Sequence, residues 1–167
     1  LSRMMETNEL HIKYQFFLAE RECETFVVRI NPQTLELISD PLATYPEWVE
    51  LTYNQCPHCP LNVHEHPHCP LMQALYPLLN RFYEILSYET VFLRVETLER
   101  VISHKTTAQR SISSLKGLYN AVSGCPFMQY FRPMARFHLP LSSEMETIYR
   151  SVSTYLLAQY FRKGMGL

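Results

Sequence analysis

The sequence predicts an α+β domain: an antiparallel β-meander plus one later strand, packed against three or four helices, with a metal-ordered Pro-rich loop. Three observations predict it. Residues 11 to 38 alternate apolar and polar side chains with a period of two, the signature of half-buried strands. The second half carries apolar residues at helical spacing. Between them, residues 40–70 hold more than half of the 11 prolines and three of the 5 cysteines. Proline denies the backbone both helix continuity and ladder donors, so an irregular loop is expected there, and a loop this long needs something to order it.

In chain order, Ile12, Tyr14, Phe16 and Leu18 form one strand face against His11, Lys13 and Gln15, and Glu20-Arg21-Glu22 predicts a turn. Phe26, Val28 and Ile30 alternate with Thr25, Val27 and Arg29. Asn31-Pro32 supplies the next turn, and Leu35 and Leu37 predict a third short strand. Leu71, Leu75, Leu78, Leu79, Phe82 and Leu86 recur at helix spacing, with Pro77 expected to kink that helix or to mark its first turn. Val91 to Ile102 returns to alternation and predicts one strand with a wet face. Ile112, Leu115, Leu118, Tyr119 and Val122 predict a helix that Gly124 closes as a left-handed residue. The last helix opens on a capping box of Ser143 and Glu146. Its apolar stripe comprises Met145, Ile148, Tyr149, Val152, Tyr155, Leu156 and Tyr160, and Arg162, Lys163 and Gly164 mark its end.

The chain has 167 residues, 47% of them hydrophobic, which suits one domain spanning 1–167 with one core. Residues 1–5 are set aside as a processing remnant or a disordered end, with Met4 or Met5 as the native start. Charged residues make up 19% and the net charge is -1, which excludes a general electrostatic nucleic-acid binder. No run approaches a membrane span and no secretory pattern opens the chain, so a soluble cytoplasmic protein with no membrane partner is expected.

Cys56, Cys59, Cys69 and Cys125 each precede proline, whereas Cys23 does not. An odd count without a secretory signal favours reduced thiols over a disulfide framework. Cys-x-x-Cys spacing lets Cys56 and Cys59 approach one ion from a tight turn, and Cys69 can return from the following excursion as a third ligand. Cys125 is the expected fourth, because its Gly-Cys-Pro setting reads as a helix start, where the positive dipole end favours a thiolate. Four thiolates leave no open position and suit structural zinc. A 4Fe-4S cluster uses the same ligands, and proline after cysteine accompanies cluster ligation. His58, His64, His66 and His68 are alternative ligands, since imidazole can replace a thiolate on zinc. Read one at a time, a cysteine is more often core filler than a ligand, the class expected for Cys23, and a loop histidine is more often a solvated side chain than a ligand. His138 is expected to serve as a structural hydrogen-bonding residue.

The segments Cys56-Pro-His-Cys-Pro-Leu61, Cys69-Pro-Leu71, Ser123-Gly-Cys-Pro126, Arg132-Pro-Met-Ala-Arg-Phe-His-Leu-Pro140 and Tyr155-Leu-Leu-Ala-Gln-Tyr-Phe161 together resemble a bacterial domain family of unknown function. The resemblance covers nearly the whole chain. It implies a bacterial origin and lends no activity.

These residues predict a small structural-zinc module that acts by binding or regulation through a protein partner. The alternatives are an iron-sulfur protein with a redox or sensing role, and an enzyme or anion-binding protein using the Cys125 helix start with Arg132 and Arg136, one turn apart. No Gly-rich phosphate loop, His-Glu-x-x-His or Ser/His/Asp pattern points to a conventional enzyme.

Overall fold

A computed structural model describes residues 9–18, 22–40 and 42–163. The expectations for residues 1–5, for Glu20 and Arg21 of the first turn, and for Gly164 lie outside the described residues. Among the described residues there are four strands: β1 (Leu10–Leu18), β2 (Glu24–Ile30), β3 (Thr90–Glu96) and β4 (Val101–Thr107). They form one sheet in the order β2-β1-β3-β4, and every pairing is antiparallel. Among the described residues four α-helices accompany it: α1 (Pro70–Phe82), α2 (Ala108–Val122), α3 (Arg132–Arg136) and α4 (Glu144–Arg162). The fold is α+β.

Period-two alternation makes the sheet two-faced. Ile12, Tyr14, Phe16 and Leu18 of β1, Phe26, Val28 and Ile30 of β2, and Val91, Leu93 and Val95 of β3 are all buried on one side. Leu75, Leu78 and Phe82 of α1 and Leu115, Leu118 and Val122 of α2 complete that core. Phe82 supplies its tightest aromatic packing, with ring centroids 4.8 Å from Phe16 and 5.5 Å from Phe26. The opposite face carries the Lys13–Glu96 and Arg94–Glu96 ion pairs. Edge strand β4 is mostly exposed and bears Lys105, a residue type that discourages further strand pairing.

Two strand expectations are corrected. Leu35 adopts φ 57, in the left-handed region, so the extended run after Asn31 breaks and Leu37 keeps a single bridge to Ile30 instead of forming a third strand. The stretch Val91–Ile102 is a hairpin, not one strand. Thr97 donates its amide to the Arg100 carbonyl and accepts the Arg100 amide on its hydroxyl, so a threonine side chain makes a turn that no glycine or proline announces. The turn returns β4 along β3 and places β3 beside β1 in the middle of the sheet.

Helix α1 starts at Pro70 and runs through Pro77, which lies on its exposed side. Water there can take the hydrogen bond that the Gln73 carbonyl forgoes. Gly124 has φ 81, the left-handed geometry expected just after α2. At α4 the capping box is complete: the Ser143 amide donates to Glu146 Oε2 at 2.7 Å and the Glu146 amide donates to Ser143 Oγ at 3.2 Å.

The Pro-rich loop is ordered by backbone and aromatic contacts. Val49 and Leu51 are buried. The Cys69 amide donates to Val49 and the Leu51 amide to Pro67, both at 2.9 Å, and these bonds close the excursion at its base. Tyr45 packs on His68 and Tyr76, and Trp48 packs on Tyr76 of α1.

Candidate functional site

The four Cys-Pro thiols come from three places. Cys56 and Cys59 span a turn in which the Cys59 amide donates to the Cys56 carbonyl at 2.9 Å, with Cys56 exposed and Cys59 half-buried. Cys69 is half-buried and is the residue preceding α1, with Pro70 at the first helical position. Cys125 is half-buried; its amide donates to Ser123 Oγ at 3.3 Å and its carbonyl accepts the Met128 amide at 3.0 Å. The helix start expected at Cys125 therefore belongs to Cys69, while Cys125 opens a turn ahead of the short helical segment at Gln129–Phe131. Cys23 is exposed rather than core filler.

The junction after α2 and the start of α1 meet. A Cβ built on Gly124 would lie 3.9 Å from Pro70 Cβ, so the turns carrying Cys125 and Cys69 are neighbours although 56 positions separate them in the chain. The Cys56–Cys59 turn does not join them at ligand distance: among the described residues no three His, Cys, Asp or Glu side chains are gathered closely enough to hold a metal ion. His58, His64 and His66 are exposed, and His68 is half-buried with its ring 5.0 Å from that of Tyr45.

Arg132 and Arg136 do share α3, but they do not converge on one site. Arg132 Nη2 lies 2.8 Å from Glu36 Oε1 and Arg136 Nη1 lies 3.4 Å from Glu99 Oε1. Each guanidinium is committed to a carboxylate of a different connection, which fastens the five-residue helix to the body on two sides.

Beside this junction lies a polar cluster that sequence reasoning missed. The Tyr14 hydroxyl, on the central strand, is 3.0 Å from Ser114 Oγ of α2 and 2.5 Å from His138 Nε2. Ser114 Oγ also accepts the Leu141 amide at 3.0 Å. Burial, and then the positive Arg150 nearby, push the His138 pKa down to about 4, so the imidazole is neutral at physiological pH. Burial raises the Tyr14 hydroxyl well above its ordinary value, against a smaller opposing effect of the Ser114 hydrogen bond. Ser114 and His138 of this cluster line a cleft of about 370 Å³ together with Arg110, Asn120, Met128, Phe131, Met134 and Arg150. Its two arginines are held by main-chain carbonyls, Arg110 by Leu141 and Arg150 by Met134 and Phe137. The arrangement clamps residues 128–142 over α2. The only sequence signal for it was the placement of His138 between Phe137 and Leu139, which marks a structural histidine without naming its partner.

Among the described residues no helix is long and apolar enough to cross a membrane. A family model, the domain of unknown function DUF6901, matches residues 12–167. Neither the curated proteins nor the solved structures include a match to the chain.

Proposed function

We propose that this chain, which belongs to the DUF6901 family of domains of unknown function, is a small cytoplasmic module acting by protein contact. In this reading a structural zinc ion on Cys56, Cys59, Cys69 and Cys125 fastens the Pro-rich loop to the junction between α2 and α3. The observation that carries it is that a Cβ placed on Gly124 would meet Pro70 Cβ at 3.9 Å, which makes neighbours of two Cys-Pro turns distant in sequence. The Cys56–Cys59 turn is bonded to itself, with Cys56 exposed and Cys59 half-buried, so neither thiol is locked in the core. Backbone bonds already tie the base of the excursion, and the metal's contribution is to fix its tip. Four thiolates complete a tetrahedral shell and leave no position for substrate, which makes the role structural.

The test is elemental analysis of protein purified without air, together with melting of the Cys59→Ser variant. Zinc near one per chain, with metal content and melting temperature falling together in the variant, is the expected result. A metal-free variant that melts like the wild type defeats the reading. The second reading keeps the same thiolates around a 4Fe-4S cluster with a redox or sensing role, favoured by the proline that follows every candidate ligand. Iron and sulfide in a brown anaerobic preparation would replace zinc by that cluster.

A further inference from the structure

Helix α4 packs inside out. Its 19 residues include none that is buried. The side chains it turns toward the body are polar: Arg150, Ser151 and Thr154 are half-buried, while the residues of the apolar stripe are exposed. Arg150 fixes this orientation by donating to the carbonyls of Met134 at 3.2 Å and Phe137 at 2.6 Å, and Ser151 Oγ contacts Met134 Sδ at 3.3 Å. Outward lie Met145 (73% exposed), Ile148, Tyr149 (73%), Val152, Tyr155, Leu156, Leu157, Tyr160 and Phe161 (68%). An amphipathic helix that gives its polar side to its own domain and its apolar side to water has a second surface to cover.

We infer that α4 pairs antiparallel with the α4 of a second copy of this chain, forming a two-fold dimer. Two observations commit the occupant to a second copy. The first is charge. Glu144 and Glu146 lie in the first turn, and Arg162 lies in the last turn with Lys163 beyond it. Glu144 and Arg162 are 18 positions apart, about five helical turns at 3.6 residues each, so they fall on the same flank of the stripe. An antiparallel two-fold centred on Ser153 brings that flank against itself and places Glu144 of one copy beside Arg162 of the other, twice per dimer. The helix is thus its own electrostatic complement.

The second observation is area. A buried aromatic side chain covers about 150–250 Å². At the exposures of Tyr149, Tyr155 and Tyr160, the three rings of the stripe offer on the order of 350 Å². That approaches half of the roughly 800 Å² each partner contributes to a standard interface. Met145, Ile148, Val152 and Leu156 of the same stripe add to it. The inference specifies the partner in the protein-contact reading above and does not depend on the thiols.

The experiment measures the mass of the full chain by light scattering and sedimentation across concentration, with metal content determined on the same samples. A dimer of the 19.7 kDa chain is expected. Val152→Glu with Leu156→Glu should give a monomer whose circular dichroism and core melting match the wild type, because neither side chain is buried. Glu144→Lys or Arg162→Glu alone should weaken self-association about tenfold through loss of two symmetric pairs and gain of like-charge contacts, and the two together should restore it. A wild-type chain that stays monomeric at high concentration, an open series of larger oligomers, or a double charge swap that fails to restore pairing overturns the inference. A monomer that still carries metal sinks the dimer and leaves the zinc proposal standing.

Discussion

The Tyr14 hydroxyl on the central strand lies 2.5 Å from His138 Nε2, joining residues 124 positions apart beneath the segment that leads into α4. Since burial holds the His138 pKa down near 4, against an ordinary value of 6.5, this contact links stability to pH. Below pH 6.5 the unfolded chain takes up a proton that the folded chain refuses, so the unfolded state gains with each step down in pH. The His138 contribution is therefore level above about pH 6.5 and falls between pH 6.5 and 4, by about 3 kcal/mol in total. Denaturant unfolding of wild type and His138→Gln across that range checks it: the variant should show a shallower slope of stability against pH, and equal slopes would count against a buried neutral imidazole.

Phe82 anchors α1 to the sheet between Phe16 and Phe26. Its truncation in Phe82→Ala removes the ring shared by two strands and leaves a cavity that neighbouring rings cannot fill. A loss of about 3–5 kcal/mol in equilibrium unfolding is expected. Leu79→Ala on the same helix, at 42% exposure, should cost far less, so the pair of measurements separates burial from helix propensity.

Gly124 tests backbone conformation apart from crowding. A Cβ at that position would meet only Pro70 Cβ, at 3.9 Å, an ordinary contact, but φ 81 disfavours an L side chain. Gly124→Ala should therefore destabilise by roughly 1 kcal/mol, and Gly124→Asn by less, since asparagine tolerates the left-handed region. A much larger loss for alanine would mean the turn beside Cys69 is more crowded than described.

Because α4 contributes no buried residue, its two attachments should control local rather than global stability. Ser143→Ala removes the acceptor for the Glu146 amide and should cost about 1 kcal/mol of helix stability. Arg150→Met leaves the Met134 and Phe137 carbonyls without their charged donor and should cost roughly 1.5–3 kcal/mol of attachment. Amide exchange should accelerate along residues 144–162 in both variants while the β1 and β3 amides keep their protection. Faster exchange throughout the sheet would show that α4 belongs to the cooperative core.

How much was legible in the residues can be argued from particular elements. The buried faces of β1 and β2, the apolar side of α2, the left-handed Gly124 and the Ser143 capping box all rest on interactions within a few positions of each other, where periodicity and turn chemistry act. The β3–β4 turn escaped because Thr97 makes it with a hydroxyl, with no glycine or proline in the sequence to mark it. At the thiols, the Cys-Pro repeats marked the residues to watch, yet the helix start assigned to Cys125 failed: proline follows both Cys69 and Cys125, and only Cys69 continues directly into a helix.

Local pattern by itself determined that the chain builds a two-faced antiparallel sheet, where its long helices fall, and that α4 has an apolar stripe. Tertiary structure alone decided that Tyr14 meets Ser114 and His138, that Cys125 lies beside the start of α1, and that α4 presents its polar face to the body. The physical reason is range. Side-chain alternation and capping report the backbone within one or two turns, whereas the choice of which distant surfaces touch is made by packing the whole chain at once, and a hydrophobic stripe states that something will cover it without stating what.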